Sequence, residues 1–287
     1  MNFSYYPGCT LKNKAQDLDR YARLSAEKLG IHLEELSEWQ CCGGAFSMGK
    51  DEIASKLAAV RALNGAKEQG QDLVTLCSAC HNVLKQANDA MAHDEEFSEH
   101  ANNYMQLEKP YKGETRVIHY LELLRDVVGF DNLKKAVVKP LTGKKVAAYY
   151  GCLLLRPSKV MQMDNPENPT IIEDFLRAIG AEPVLYANRN ECCGGYAVLE
   201  DRAIAHLRRT GVSVYLRLPY AEIERRLRNI ATRGIAMGPG ESLRTLYDER
   251  IPHYERNADI VLDCAGQNLE ETVSAVVAAF RAHAQGR

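Results

Sequence analysis

Five cysteines in the first part of the chain combine a residue type and a spacing that point to chemistry. They follow a one–two–two pattern: Cys9, the adjacent pair Cys41 and Cys42, and the C-x-x-C pair Cys77 and Cys80. Neighbouring side chains in an extended segment point to opposite faces, so an adjacent pair does not fill a single apolar niche. Two glycines, Gly43 and Gly44, follow the pair and allow the backbone to turn closely around a bound group. The pattern predicts thiolate ligands of a metal centre.

The spacing leaves several uses of these thiols open. They can be buried free cysteines, or Cys77 and Cys80 can form a thioredoxin-like dithiol. Zinc bound by four of the five leaves one thiolate unexplained. An iron–sulfur centre with a five-cysteine shell uses them all. Disulfides are not expected, because the adjacent pair and a reducing compartment argue against them.

Each cysteine group directly follows a predicted strand. The predicted strands are 3–6, 32–36 and 72–76, and the predicted helices are 14–29, 51–70 and 81–92. Ligands of an open α/β sheet gather at the carboxyl ends of its strands, so we expect an α/β fold with the three groups at one edge. A further strand over 116–120 contains His119, which we interpret either as a proton donor or as a structural residue.

The pattern begins again near residue 145. Tyr149-Tyr150-Gly151-Cys152 repeats the tyrosines and the cysteine of the first stretch, and Glu191-Cys192-Cys193-Gly194-Gly195 repeats the adjacent pair. An internal duplication of roughly 145–150 residues is the simplest explanation. Asn168 is predicted to cap a helix that begins at Pro169 and carries an apolar stripe from Ile171 to Ile179. No C-x-x-C follows Cys193, and Cys264 is either a ligand recruited from another loop or a small residue at a strand end.

The composition changes in the last third of the chain. Residues 200–287 contain thirteen arginines and no lysine, which indicates a segment of separate origin. Strands are predicted at 212–216 and 259–263 and a helix from Pro219. Asn268 and Glu271 predict a capping box for a last helix. Its apolar face is expected to pack and consists of Val273, Val276, Val277 and Phe280.

Charge and hydropathy exclude some classes of function. The chain has 287 residues, 46% of them apolar, and a net charge of −2. Such a chain is long enough for two lobes, and it carries no basic run for nucleic acid or an anionic membrane surface. No apolar stretch approaches the length of a membrane-spanning helix. We expect a cytoplasmic protein.

Five motifs resemble the B-type subunit family of heterodisulfide reductase over residues 1–197. They are Tyr5-Tyr6-Pro7-Gly8-Cys9, Trp39-Gln40-Cys41-Cys42-Gly43, Cys77-Ser78-Ala79-Cys80, Tyr149-Tyr150-Gly151-Cys152-Leu153 and Glu191-Cys192-Cys193-Gly194. The resemblance implies non-cubane [4Fe-4S] clusters that cleave a disulfide, such as the coenzyme M–coenzyme B heterodisulfide. It implies that a ferredoxin-like iron–sulfur subunit donates the electrons and that a flavin-containing subunit supplies them. The implied ligands of the first, catalytic cluster are Cys9, Cys41, Cys42, Cys77 and Cys80, and those of part of a second are Cys152, Cys192 and Cys193.

The tail is similar to the C-terminal part of shikimate-kinase-like proteins. The similarity would place Arg233 and Arg250 in a lid and a substrate site, but no phosphate-binding G-x-x-x-x-G-K-[ST] occurs in the sequence, so we interpret them as surface arginines. The predicted division is a first cysteine-rich lobe at 1–140, a partial second lobe at 141–197 and a kinase-like segment at 198–287. The sequence favours a disulfide-reducing iron–sulfur subunit. The alternative is an impaired fusion that acts as a binding module.

Overall fold

The structure, a computed structural model, divides the chain into two compact units, Met1–Cys193 and Gly194–Arg287. It describes residues 1–44, 52–107, 109–186, 189–191, 204–205, 209, 211–226 and 242–285. In these ranges every pair of neighbouring strands is parallel. The α/β class predicted from sequence is confirmed.

The first unit alternates strands and helices. Its strands are β1 (Asn2–Tyr6), β2 (His32–Glu35), β3 (Leu73–Thr75), β4 (Val117–His119), β5 (Lys145–Ala147) and β6 (Glu182–Val184). Its helices are α1 (Gly8–Asn13), α2 (Gln16–Lys28), α3 (Glu52–Glu68), α4 (Ser78–His93), α5 (Glu95–Met105), α6 (Tyr120–Glu122), a π-helical turn (Leu123–Val128), α7 (Phe130–Ala136), α8 (Ser158–Met161) and α9 (Ile171–Ala178). Helical connections of this kind allow consecutive strands to run parallel.

Four strands form the main sheet in the order β2-β1-β3-β4. The register aligns Tyr5 with Glu35 on one side and with Val74 on the other. All four strands therefore end at the same edge, and the chain leaves that edge three times towards cysteines. Residues after β1, β2 and β3 are brought together by this topology.

The two faces of the main sheet are covered by separate cores. Side chains alternate along a strand, so Tyr6 and Leu73 enter one core while Tyr5 and Val74 enter the other. The first core is closed by α3, α4 and α5. The second core includes Ala178 of α9, with Phe175 and Ile179 packed against it. A helix beyond β5 therefore completes a core of the four-stranded sheet.

Strands β5 and β6 form a separate parallel pair with a small core of their own. The expected cap at Asn168 is wrong, because α9 begins at Ile171 and Asn168 instead accepts a hydrogen bond from Arg189. The carboxylate of Asp164 accepts the backbone N–H groups of Thr170 and Ile171 at 2.6 and 2.8 Å. A charged acceptor six residues upstream takes the role predicted for the local amide.

The second unit has its own pair of parallel strands. Its elements are β7 (Val214–Arg217), α10 (Tyr220–Arg226), α11 (Leu243–Asn257), β8 (Ile260–Asp263) and α12 (Leu269–Gln285). The capping box is confirmed, since the backbone N–H of Asn268 bonds Glu271 and that of Glu271 bonds Asn268, both at 2.9 Å. The expected packing of the last helix is wrong: Val273, Val277 and Phe280 are 53, 43 and 49% exposed. Within the described ranges no helix is both long and apolar enough to cross a membrane.

Candidate metal centre

All five cysteines of the first lobe lie at the carboxyl edge of the main sheet. Cys9 lies in α1 directly after β1, Cys77 precedes α4 and Cys80 lies in its first turn. The Sγ atoms of Cys9 and Cys41 are 3.5 Å apart, and those of Cys42 and Cys80 are 3.4 Å apart. Cys41 also interacts with the adjacent Cys42, and Cys80 interacts with Cys77 one turn away. The structure therefore brings the five sulfurs of three chain segments into one connected row.

The row has an exposed end and a buried end. Cys9 and Cys41 are exposed, Cys77 is half-buried, and Cys42 and Cys80 are buried. Hydrogen bonds from Cys41 and Cys80 lower the pKa of Cys42 to about 3, although burial opposes this shift. The neighbouring Cys80 thiol and the backbone N–H groups of Cys80 and Ala79 lower the pKa of Cys77 to about 6. Two of the five sulfurs are therefore stabilised as thiolates, the form that binds metals.

Gly8 gives the row its closest backbone approach. Its φ is +74°, a conformation that side chains rarely allow, and a Cβ at this position would lie 2.7 Å from the Sγ of Cys80. The sulfur of Cys80 thus occupies the space that any side chain at position 8 would need. Glycine is required here by both the turn and the space.

Two sets of side-chain contacts fix the loop that carries the cysteine pair. The Tyr6 hydroxyl, fully buried beneath the cysteines, donates a hydrogen bond to the carbonyl oxygen of Gln40. The carboxylate of Glu35 accepts hydrogen bonds from Lys12 at 2.7 Å and from the Trp39 indole at 3.0 Å. Lys12 lies on the helix of Cys9 and Trp39 on the loop of Cys41. Glu35 therefore holds two of the three cysteine segments together.

The turn that carries Cys77 and Cys80 is held by hydrogen bonds within the turn and from the neighbouring strand β4. Thr75 Oγ1 and His81 Nδ1 are hydrogen-bonded at 3.0 Å across the turn from β3 to α4. His119 Nε2 donates to the carbonyl oxygen of Leu76 at 3.0 Å, next to Cys77. Glu122 accepts the backbone N–H of His119 at 2.7 Å. The turn is thus fixed at both ends by buried polar groups.

These histidines are uncharged. Burial lowers the pKa of His119 to about 4, and burial and the nearby His119 lower the pKa of His81 well below its usual value. Although His81 Nε2 lies 3.5 Å from Glu122, it has no hydrogen-bond partner among the described residues, so the contact is not an ion pair. Of the two interpretations of His119, the geometry favours the structural one. The anchors Glu35, His81 and Glu122 carry no local sequence signal, because their partners are brought in by the sheet.

The five cysteines from Cys9 to Cys80 are called the first cysteine segment from here on, and the repeat around Cys152 the second. The two segments have similar backbone conformations before their first cysteine. Gly151 has a φ of +63°, and Cys152 follows it and is half-buried. The Tyr149 hydroxyl donates to the carbonyl oxygen of Glu191 at 2.8 Å, directly before Cys192. Cys192 and Cys193 lie outside the described residues. Their roles, and those of the first five cysteines, stay predictions.

One amide joins the two cysteine segments. Asn82, two residues after Cys80, is buried, and its side-chain amide donates to the carbonyl oxygens of Leu153 and Arg156 at 2.8 Å each. Both acceptors lie on the loop that carries Cys152. The end of the first sulfur row is therefore tied directly to the second segment.

Cys264, in the second unit, is buried just after β8, and its thiol contacts the carbonyl oxygen of Leu262 at 3.6 Å. This environment matches the interpretation of a small residue at a strand end.

The donor set of the first segment suits an iron–sulfur cluster. The five thiols differ in exposure, two of them are favoured as thiolates, and Gly8 leaves space for the close approach of the Cys80 sulfur. In the described part of the chain, no three His, Cys, Asp or Glu side chains form a site for a single metal ion. The sulfurs form an extended row, which fits a group with several metal atoms.

Comparison with known proteins identifies two kinds of relative. The family model described as "Cysteine-rich domain" (CCG) matches residues 3–85 and 146–209, just over half of the chain, and a shikimate kinase model matches residues 191–281. The chain is 32% identical to the 8-methylmenaquinol:fumarate reductase membrane anchor subunit of Wolinella succinogenes over 73% of each protein. It is 30% identical to the B-type subunit of the ferredoxin/F(420)H(2)-dependent CoB-CoM heterodisulfide reductase of Methanosarcina acetivorans, over 67% of this chain and 64% of the relative.

The shikimate kinase of Thiobacillus denitrificans is 30% identical over 142 residues, which cover 46% of this chain and 78% of the kinase. The match to the B-type subunit of the heterodisulfide reductase from Methanosarcina acetivorans spans 64% of that protein, slightly less than two thirds.

Proposed function

The chain belongs to the cysteine-rich (CCG) domain family, and from this premise we propose that it is an iron–sulfur subunit that reduces a disulfide. The resemblance predicted from the motifs is confirmed, both for the cysteine-rich segments and for the kinase-like tail. The observation that carries the proposal is the connected row of five sulfurs from three segments.

The proposed cofactor is one non-cubane [4Fe-4S] cluster held by Cys9, Cys41, Cys42, Cys77 and Cys80. Such a cluster supplies one-electron transfer and an iron atom that can bind sulfur. The protein contributes the thiolates, with Cys42 and Cys80 anchored in the core and Cys9 and Cys41 facing outwards. A disulfide would approach from the exposed end of the row, because the other end is covered by the core.

The remaining residues of the site act by position. Glu35 and Tyr6 hold the exposed cysteines at a fixed separation, and the Thr75–His81 pair holds the turn of Cys77. The lowered pKa of His119 keeps it neutral near pH 7, so the protons for the two product thiols would come from solvent or from the partner protein.

Heterodisulfide reductase relatives suggest the partners. Their names describe subunits of larger enzymes, one of them dependent on ferredoxin. We propose that a ferredoxin-like iron–sulfur subunit donates the electrons, that a flavin-containing subunit supplies them, and that the substrate is a disulfide of the coenzyme M–coenzyme B type.

Iron and sulfide analysis of anaerobically purified protein tests this function. About four irons per chain, with reduction of the heterodisulfide by a reduced viologen dye, is the expected result. About eight irons would mean that Cys152, Cys192 and Cys193 complete a second cluster with a further ligand, and the variant Cys264→Ala would show whether Cys264 supplies it.

The kinase-like tail supports the alternative of a binding module. Both the family model and the Thiobacillus relative place shikimate-kinase-like sequence there. The chain lacks the phosphate-binding loop that phosphoryl transfer requires, so binding of a small anion without transfer is the activity to test. Iron-free purified protein that binds nucleotide would overturn the iron–sulfur proposal.

A further inference from the structure

Two pairs of sulfur atoms in the row have nearly the same separation but differ in their access to solvent. The Sγ atoms of Cys9 and Cys41 are 3.5 Å apart, and both residues are exposed. The Sγ atoms of Cys42 and Cys80 are 3.4 Å apart, and these two residues are only 3 and 4% exposed. A dissolved reagent therefore reaches the first pair of sulfurs much more readily than the second.

The exposed pair needs only a short movement to form a covalent bond. The two sulfurs of a disulfide are about 2.05 Å apart, so those of Cys9 and Cys41 would have to approach by roughly 1.5 Å. Cys9 lies in the six-residue helix α1, and Cys41 lies in a loop. Rotation about the Cα–Cβ bonds of two exposed side chains moves their sulfurs over such a distance without a change of fold.

The contacts of Glu35 keep the two exposed thiols near each other. Its carboxylate accepts hydrogen bonds from Lys12, three residues after Cys9, and from the indole of Trp39, two residues before Cys41. Two thiols whose chain segments share one anchor have a high effective concentration for each other. A bond between them is therefore favoured over a lasting mixed disulfide with a dissolved thiol.

We propose that Cys9 and Cys41 form a reversible disulfide when iron is not bound, with a low-molecular-weight disulfide as the oxidant. One of the two thiols loses its proton to solvent, attacks the dissolved disulfide and releases one small thiolate, which leaves a mixed disulfide on the protein. The other thiol loses its proton, attacks the protein-bound sulfur and releases the second small thiolate. The two released thiolates take up the two protons. The protein pair is thereby oxidised by two electrons, and the small disulfide is reduced to two thiols.

The disulfide gives the exposed pair a chemistry that does not depend on the proposed cluster. In the bonded state Cys9 and Cys41 are not thiolates, so they do not bind iron. The bond blocks loading of the site until a dissolved thiol reverses the exchange. It also protects both sulfurs from oxidation to sulfinic acid, which such a thiol does not reverse.

Disulfide mapping of the full-length, iron-free protein tests the proposal. The reduced protein is incubated without oxygen in mixtures of reduced and oxidised glutathione, then unfolded and alkylated, and its peptides are identified by mass spectrometry without reduction. Because access limits thiol–disulfide exchange, we expect the cross-link of Cys9 to the peptide of Cys41 to exceed any between Cys42 and Cys80 on the order of tenfold or more. No cross-link, or a dominant one between other cysteines, would overturn the proposal.

Cys41→Ser and Cys42→Ser are the matched variants, because the two cysteines are adjacent and only Cys41 is exposed. Cys41→Ser should lose the cross-link and retain one glutathione on Cys9, since no second thiol displaces it. Cys42→Ser should form the cross-link as the wild type does. A cross-link that persists in Cys41→Ser, or that is lost in Cys42→Ser while circular dichroism shows a folded protein, would contradict the proposal.

Iron uptake separates this proposal from the proposed function. The cross-linked protein should take up iron only after a dissolved thiol has broken the bond, whereas the reduced protein should take it up directly. A cross-linked protein that binds as much iron as the reduced protein would overturn the proposed block. If the reduced protein takes up no iron, the proposed function fails, and the cross-link map still decides whether the disulfide forms.

Discussion

The first and second cysteine segments have the same backbone arrangement but different surroundings. Counting back three residues from Cys9 and from Cys152 gives Tyr6 and Tyr149, and each hydroxyl donates to the carbonyl that precedes an adjacent cysteine pair. The glycines before both cysteines have positive φ angles, +74° and +63°. These shared features support the internal duplication predicted from the sequence.

The difference lies in what covers each segment. Tyr6 is fully buried, whereas Tyr149 is 52% exposed. A Cβ on Gly8 would meet the sulfur of Cys80, whereas the three nearest atoms for Gly151 all belong to Tyr149, at 3.6 Å or more. Among the described residues, the tyrosine contact is common to both segments, and Cys80 fills the space beside the glycine of the first segment alone.

Removing one cysteine from each segment should give the largest contrast. Cys42→Ala deletes a buried thiol, proposed as a ligand, in the middle of the row and should lower bound iron on the order of tenfold or more, because metal and folded site form together. Cys152→Ala should leave the iron of the first site in place. Iron and sulfide content and visible absorption of both variants measure the effect, and equal losses would show that the segments form one site.

Substituting the two glycines should separate space from backbone strain. Gly8→Ala adds both a positive-φ penalty of roughly 1–2 kcal/mol and a clash with Cys80, so the variant should lose stability and iron. Gly151→Ala has the same backbone penalty, and among the described residues only Tyr149 lies within 4.0 Å of the added Cβ. We expect it to keep its iron in the same assay, with urea denaturation reporting a loss of roughly 1–2 kcal/mol.

Acid should lower the folding stability of the first segment, because the buried His119 becomes protonated. The described part of the second segment has no corresponding histidine. Burial lowers the pKa of His119 from 6.5 to about 4 in the folded state. As the pH falls, the unfolded chain takes up this proton first, so stability is complete above about pH 6.5 and is lost towards pH 4. Between pH 7 and 5 the loss is about 2 kcal/mol.

Urea denaturation of iron-free wild type and His119→Gln at several pH values measures this contribution. The glutamine amide can reach the carbonyl of Leu76 but does not titrate, so the difference between the two proteins isolates His119 from His81. A variant with the same pH dependence as the wild type would contradict the prediction.

Removing the two tyrosine hydroxyls should give the smallest effects. Tyr6→Phe removes the hydroxyl that a fully buried ring presents to the carbonyl of Gln40 and should cost about 1–2 kcal/mol. Tyr149→Phe acts at an exposed site, where water replaces the hydroxyl, and should cost roughly 0.5 kcal/mol or less. Thermal unfolding of the iron-free variants compares them, and a larger loss for Tyr149→Phe would reverse the comparison.

The sequence predicts the positions of the first five cysteines well because one rule determines them. Strands that end at Tyr6, Glu35 and Thr75 are recognisable, and parallel strands bring their ends to one edge. The contacts that fix the cysteines are not predictable in this way. Glu35 and Lys12 are far apart in sequence, and only the paired strands bring them together.

The two wrong expectations have a similar cause. The pattern at Asn168 describes a local cap, but Asp164 reaches the same N–H groups from six residues upstream with a full charge. The apolar stripe of the last helix shows which face is apolar, yet a stripe says nothing about what is available to cover it. Local patterns predict elements, whereas their partners depend on the fold.

The amide of Asn82 and the side chain of Ala178 make the two halves of the duplication depend on each other for folding. A chain that ended after the four-stranded sheet would leave the amide hydrogens of Asn82 facing nothing and would open the core that α9 closes. Loss of cysteines from the second half of the duplication would leave both contacts in place, whereas loss of the half itself would remove them.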